Sequence, residues 1–202
     1  MIVIIDYGMG NLRSVAKAIA YLGVRYVVTD SPLIIKRAKK IILPGVGHFG
    51  KAVRELKKRK IFNLIKERVR ENVPFLGICL GMHLLFKISE EALQVNGLGV
   101  IEGEVKRFSQ KGLIVPHMGW NRVTIESNRE GLFKDIKNNS FFYFAHSYYC
   151  LPYQKEVILG FTNYGIKFVS SLNKGNIWAV QFHPEKSQEL GLKVCRNFIF
   201  EC

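Results

Sequence analysis

Apolar and polar residues are arranged differently in the two halves of the chain. In the N-terminal half, short β-branched runs alternate with longer stretches whose apolar residues recur every three or four positions. That is the pattern of helices laid over a buried parallel sheet. Ile2–Ile5 reads as a buried strand, Gly8 and Gly10 as a turn, and Asn11–Leu22 as a helix with Leu12, Val15, Ala16 and Ile19 on one stripe and Gly23 just past its end. Arg25–Val28 and Lys40–Leu43 read as the next strands, with Asp30-Ser31-Pro32 opening a turn or short helix between them and Pro44 and Gly45 ending the third. A helical stretch then runs from about 48 to 71, Pro74–Ile78 reads as a fourth strand, and Leu80–Phe86 resumes a helical pattern.

Beyond about residue 100 the pattern changes to short strands with turn signals. Strands are expected at Val100–Phe108, Asn121–Ile125, Phe141–Phe144, Val157–Tyr164, Ile166–Ser171 and Asn176–Phe182, with hairpins at Asn163-Tyr164-Gly165 and Asn173-Lys174-Gly175. Gln188–Phe200 closes the chain as an apolar-striped helix. The pattern predicts an α/β fold: one domain over residues 1–202, a mostly parallel sheet flanked by helices, and antiparallel strands in the C-terminal half. No linker or repeat divides it.

Composition narrows the classes. At 202 residues and 48% apolar content the chain can bury one sizeable core, which excludes disorder. No apolar run reaches the roughly 18 residues of a membrane span, and Asp6 cuts the first apolar run too early for a signal peptide. A cytoplasmic chain without a membrane partner is expected. The four cysteines, Cys79, Cys150, Cys195 and Cys202, lie far apart with no C-x-x-C, and no H-x-x-x-H spacing occurs. Neither metal, disulfide framework nor cofactor is therefore expected, and any cysteine chemistry must use a lone thiol.

The formal charge of +14 favours anionic partners without choosing among them. Much of it falls in 51–70, where Lys51, Arg54, Lys57, Lys58, Arg59, Lys60, Lys66, Arg68 and Arg70 alternate with Val53, Leu56, Ile61, Leu64, Ile65 and Val69 at helical spacing. This reads as a solvated helix face, because aromatics are not interleaved with the charges, and no nucleic-acid partner is expected. A basic nucleic-acid-binding module is the rival reading, which salt-dependent binding would reveal.

Three segments carry candidate chemistry. Gly77-Ile78-Cys79-Leu80-Gly81 sits between an apolar strand and a helix and has the form of a nucleophile elbow. Such a turn strains the nucleophile's backbone, and glycines flank it because side chains there would strike neighbouring backbone. The free N–H groups of the following helix favour thiolate over thiol. The bland alternative is a buried cysteine between packing glycines. In Gln181-Phe182-His183-Pro184-Glu185 the proline biases His183 toward extended backbone, so His183 and Glu185 project to one side. A carboxylate can then orient an imidazole that takes a thiol proton. Pro44-Gly45-Val46-Gly47-His48 follows a strand at the carboxyl edge of the sheet, where exposed N–H groups could join the Leu80 amide in an oxyanion hole, cradle a phosphate, or form a plain tight turn. The opening Asp6-Tyr7-Gly8-Met9-Gly10-Asn11 is not a dinucleotide fingerprint, since Arg13 stands where the third glycine belongs. His117 and His146 have no role assignable from spacing.

Together, G-I-C-L-G-M at 77–82, P-G-V-G at 44–47 and H-P-E at 183–185 resemble the class I glutamine amidotransferases, in that family's order and over nearly the whole chain. P-H-M-G-W-N at 116–121, F-A-H-S-Y-Y at 144–149 and D-Y-G-M-G-N-L at 6–12 are similar to the branch of glutaminase subunits of imidazole glycerol phosphate synthase. The resemblance implies hydrolysis of glutamine to glutamate and ammonia, with Cys79 as nucleophile, His183 as proton shuttle and Glu185 holding His183. It places the oxyanion hole at Leu80, Gly45, Val46 and Gly47, and glutamine contacts at Gly47, Glu91, Ser147 and Tyr148. It also implies a heterodimer with a (β/α)8 barrel cyclase subunit that takes up the ammonia in histidine biosynthesis. Tyr7–Leu12, His48, Met118–Asn121 and Tyr143 are expected interface or signalling positions on the same ground. The family usually reads G-M-Q after the elbow, where the glutamine contacts substrate; this chain reads Gly81-Met82-His83, which implies a weaker or rearranged contact. The competing readings are the amidotransferase subunit of anthranilate or aminodeoxychorismate synthase, and a stand-alone cysteine hydrolase or peptidase.

Overall fold

The computed structural model describes residues 1–126 and 131–202. Among the described residues twelve strands follow in chain order: β1 (Ile2–Ile5), β2 (Tyr26–Thr29), β3 (Lys40–Gly45), β4 (Phe75–Cys79), β5 (Phe86–Ser89), β6 (Ile101–Arg107), β7 (His117–Ile125), β8 (Ser140–His146), β9 (Tyr148–Pro152), β10 (Ile158–Tyr164), β11 (Ile166–Lys174) and β12 (Ile177–Val180). The helices are α1 (Leu12–Tyr21), α2 (Pro32–Lys36), α3 (Phe49–Lys58), α4 (Phe62–Arg70), α5 (Leu80–His83) and α6 (Gln188–Phe200). The main sheet runs β2-β1-β3-β4-β12-β11-β10-β7-β8, with β5, β6 and β9 branching from β11. The neighbours from β2 to β12 are parallel and those from β12 onward are antiparallel, as the change of pattern predicts.

Successive strand residues face opposite sides, so the buried strands feed two cores at once. Val3, Ile5, Ile41, Leu43 and Phe75 pack with Ile35 of α2, Val53 and Leu56 of α3 and Leu64, Ile65 and Val69 of α4. Ile2, Ile4, Ile42, Leu76 and Ile78 face the other way, against Val15 and Ile19 of α1 and Val194, Cys195 and Phe198 of α6. The sheet is thus covered on both faces, and the basic side chains of α3 and α4 stay on the outer surface.

The expected helix over 48–71 is two helices. Lys60 adopts φ +59°, and the amides of Lys60 and Ile61 bond back to Lys57 and Leu56 (2.9 and 3.1 Å). This is a Schellman stop built on lysine, so no glycine or proline marks it in the sequence. Helix α5 is also shorter than expected: Leu84, Leu85 and Phe86 are apolar because all three are fully buried where the chain leaves the helix and enters β5, not because a helix continues. Strand β3 extends through Pro44 and Gly45, and β9 is an element that periodicity does not predict.

Parallel register gathers the site. Gly45 pairs with Cys79 at the carboxyl ends of β3 and β4, and Val180 of β12 pairs with Ile78. The chain leaving β12 at Gln181–Glu185 therefore passes beside the chain leaving β4 at Cys79. Among the described residues no helix is long and apolar enough to cross a membrane.

Candidate active site

The elbow cysteine sits at φ +51°, ψ −106°, an unfavourable conformation for a side-chain-bearing residue that costs about 1–3 kcal/mol. Its flanking glycines are required by contact. A Cβ on Gly77 would lie 2.8 Å from the Gly81 carbonyl oxygen, and one on Gly81 would lie 1.9 Å from that of Leu43. The turn closes onto β3 at a distance that only bare backbone permits.

His183 has φ −101°, ψ 96°, and its Nδ1 lies 2.9 Å from Glu185 Oε1, both side chains about 2% exposed. Ser187 ties this segment to β8: its hydroxyl donates to the His183 carbonyl (2.7 Å) and accepts from the Tyr143 amide (3.0 Å). The other ring nitrogen, Nε2, is buried, and the ring lies close enough to the Cys79 sulfur to be influenced by it. Burial disfavours the imidazolium, yet the negative charge of Cys79 and the Glu185 carboxylate outweigh it and push the His183 pKa up to about 10. The three side chains form a series of sulfur, imidazole and carboxyl.

The sulfur opens into a cleft of about 260 Å³ whose walls include Val46, Gly47, Leu80, His83, Glu91, Ser147 and Tyr148. Gly45 lies just beneath, in the sheet. Apart from Gly45, the residues expected at the oxyanion hole and around glutamine thus border one cavity. Gly47 holds φ +101° and Val46 is 41% exposed at the rim. Glu91 Oε2 accepts the Phe49 amide (2.6 Å) at the start of α3, where His48 caps by accepting the Gly50 amide (3.0 Å). The Ser147 and Tyr148 carbonyls already accept hydrogen bonds from the Phe108 amide (3.1 Å) and His146 Nδ1 (2.7 Å).

Two expectations change. His83 is in the cleft wall but only 4% exposed, and its Nε2 is engaged by Gln181 Oε1 at 2.7 Å rather than left for a ligand. Burial pushes its pKa down to about 4, so the ring is neutral. Tyr7, an expected interface position, is fully buried, because its ring fills the space under the elbow: a Cβ on Gly45 would meet its hydroxyl at 2.2 Å. Its phenol is pushed up by burial and by the Cys79 charge. Met118 and Trp120 do lie exposed on β7 (67% and 46%).

Sequence reasoning misses two neighbours of the sulfur, Gln181 Nε2 at 3.7 Å and the Ala145 carbonyl at 3.9 Å. Gln181 has a signal, since it stands two residues before His183 and alternation puts both on one side. Ala145 has none, being brought in by the β7–β8 pairing. Among the described residues no group of His, Cys, Asp and Glu has metal-binding geometry.

Residues 3–202 match the family model for glutamine amidotransferase class-I. The chain is 51% identical over 198 residues to the imidazole glycerol phosphate synthase subunit HisH of Moorella thermoacetica, covering 98% of this chain and 93% of that one. It is 48% identical over 202 residues to subunit HisH 1 of Methanococcus maripaludis, covering 98% of each. A solved structure described as a glutamine amidotransferase superposes with a TM-score of 0.76 at 19% identity, over 98% of this chain and 96% of the other, a likeness of fold.

Proposed function

The chain belongs to the class-I glutamine amidotransferases, and on that premise we propose that it is the glutamine-hydrolysing subunit of an imidazole glycerol phosphate synthase in histidine biosynthesis. The observation that carries the chemistry is the buried His183–Glu185 pair at 2.9 Å behind a strained cysteine that opens into a cleft.

Cys79 Sγ, as thiolate, attacks the side-chain amide carbon of glutamine. The carbonyl oxygen becomes an oxyanion, with the Leu80 amide and the Val46–Gly47 turn as its donors; Gly45, within β3, lies behind them. One such donor is typically worth about a hundredfold to a thousandfold in rate. His183 gives its Nε2 proton to the departing nitrogen, which leaves as ammonia, and a thioester remains on Cys79. The neutral imidazole then takes a proton from water, whose oxygen attacks the thioester; glutamate departs and the proton-paired thiolate is restored. Glu185 keeps the Nδ1–H side of the ring fixed throughout. Gly47, Glu91, Ser147 and Tyr148 hold the amino acid end of glutamine.

Ammonia passes to a separate (β/α)8 cyclase subunit, where it enters a phosphorylated nucleotide-derived intermediate. Transfer inside a heterodimer matters because free ammonia at neutral pH is mostly ammonium, which is not a nucleophile. A cytoplasmic location goes with this reading. The relatives' names favour it over the anthranilate and aminodeoxychorismate branches and over a stand-alone hydrolase.

The test is product formation with the cyclase subunit present, driven by glutamine or by added ammonia. Cys79→Ala is expected to abolish the glutamine-dependent reaction while leaving the ammonia-dependent one. Glutamine turnover persisting in Cys79→Ala overturns the assignment of the nucleophile.

A further inference from the structure

Behind the nucleophile lies a second buried pair that the reaction above does not use. Gln181 is fully buried and His83 nearly so, Gln181 at the exit of β12 and His83 at the end of α5. A line of hydrogen bonds runs His83 Nε2 to Gln181 Oε1 (2.7 Å) and Gln181 Nε2 to Cys79 Sγ (3.7 Å). We propose that Gln181 is a catalytic residue whose amide N–H stabilises the Cys79 thiolate, and that His83 is the positioning residue that aims it. This rests on the reading of Cys79 as the nucleophile.

The direction of the amide follows from what each neighbour can donate. A thiolate only accepts, so the NH2 end must face the sulfur; the carbonyl end then faces His83, whose Nε2 must carry the proton. The reversed amide would set an oxygen against the thiolate; His83 could follow it by exchanging tautomers, so it is the sulfur that fixes the order. The backbone of Gln181 is held by its own amide donating to the Ser170 carbonyl (2.9 Å), so His83 has only the side-chain torsions to fix. The sulfur needs such a donor. The Ala145 carbonyl, 3.9 Å from it, suits a thiol S–H but repels a thiolate. Gln181 offsets that repulsion from another direction, while His183 remains free to move its proton. His83 therefore does a different job from a substrate-facing amide, and it lines the cleft as the back of this support.

Two measurements on the chain assembled with its cyclase subunit test the proposal: glutamine turnover, and alkylation of Cys79 by iodoacetamide across pH. Gln181→Met keeps the length and loses the donor. It is expected to lower kcat roughly tenfold to a hundredfold with KM within about threefold, and to slow alkylation at neutral pH comparably, with recovery at high pH. Gln181→Glu keeps the acceptor for His83 and sets an oxygen against the sulfur, so it acts in the same direction and gives the reading if the Met variant folds poorly. His83→Phe is expected to reproduce a smaller part of both losses, about threefold, and His83→Gln, whose amide can still donate to Gln181, to recover part of them. The other titratable groups around the sulfur, His183, Tyr7 and Cys150, are untouched in all four. Alkylation at the wild-type rate at every pH in the Gln181 variants overturns the proposal, as does a His83→Phe loss confined to KM. Inactive Cys79→Ala beside unimpaired Gln181 variants removes only this proposal; active Cys79→Ala removes the nucleophile itself.

Discussion

Two histidine clusters stand within a few strands of each other, and equal burial gives them opposite charge states. His183 is 1% exposed and has its proton held up to about pH 10. His117 and His146 are 3% and 5% exposed, and burial pushes them down, His117 to about 4. The difference lies in the partners. His183 stands between a carboxylate and a sulfur that carry negative charge. The other two are joined in a ladder of neutral groups, with His146 Nδ1 donating to the Tyr148 carbonyl (2.7 Å), His117 Nδ1 to His146 Nε2 (2.9 Å), and Asn121 Nδ2 to His117 Nε2 (3.1 Å). The Arg122 amide donates to Asn121 Oδ1 (2.8 Å), which fixes that amide's orientation and hence the whole order. Each link carries one proton, and a further proton on either ring would set N–H against N–H. Burial alone discharges an imidazole; only anionic neighbours reverse it.

The largest effect comes from making the first cluster resemble the second. Glu185→Gln replaces the carboxylate with a neutral group of the same shape. Glutamine-dependent kcat is expected to fall by roughly a hundredfold to ten-thousandfold. The His183 ring, followed by NMR, is expected to lose its proton at a lower pH than in the wild type. A titration that does not move would show that the sulfur alone holds the proton and that the carboxylate only steers the ring.

The pH dependence of stability separates the clusters next. An unfolded imidazole takes up its proton near pH 6.5, whereas His83 and His117 do so in the folded chain only near 4. Between those values the unfolded state binds more protons, so stability falls as pH falls, by about 2 kcal/mol for each ring at pH 5. His183 runs the other way: its contribution is fully present below about 6.5 and fades as pH climbs through about 10. Denaturant unfolding from pH 5 to 10 is expected to show a maximum near neutrality, with Cys79→Ala drawing the alkaline decline to lower pH. A flat profile between pH 7.5 and 5 would mean that water reaches the discharged rings.

What was legible in the sequence divides along the same line between local and assembled features. The parallel half of the sheet and the elbow glycines follow from neighbours one to four positions apart, and local geometry fixes them. The His183–Glu185 pairing is expected from extended-chain alternation, but only His183 is extended; Pro184–Lys186 form a 3-10 turn, and it is this turn that brings the carboxylate to the ring. The same alternation, counted one step back, reaches Gln181. Tyr7 under the elbow, Ala145 beside the sulfur and the His117–His146 contact depend on register between strands distant in the chain, which no local spacing encodes. The break at Lys60 is hidden because a lysine occupies a conformation usually left to glycine or asparagine. Leu84–Phe86 shows the remaining ambiguity, since a short buried apolar run leading into a strand has the same composition as the last turn of a buried helix.

The smallest expected effect tests the neutral ladder at its outer end. Asn121→Ala removes the donor to His117 Nε2, together with the side chain's bonds to the Asn163 carbonyl (2.9 Å) and from the Arg122 amide (2.8 Å), and leaves the His117–His146 and His146–Tyr148 links intact. At pH 7.5 the variant is expected to lose about 1 kcal/mol, which for a chain of this size lowers Tm by roughly 2–4 °C. The same donor is what opposes a second proton on His117, so without it the ring accepts one at higher pH. The variant's folded state then binds protons nearly as readily as its unfolded state, and it escapes part of the acid decline. The gap in Tm between wild type and variant should therefore narrow from pH 7.5 to 5.5. A gap that stays constant or widens would mean that apolar burial against Phe144 and Tyr164, whose rings stack on His117 at 4.9 and 4.0 Å, sets its protonation, and that the hydrogen-bond order only decorates it.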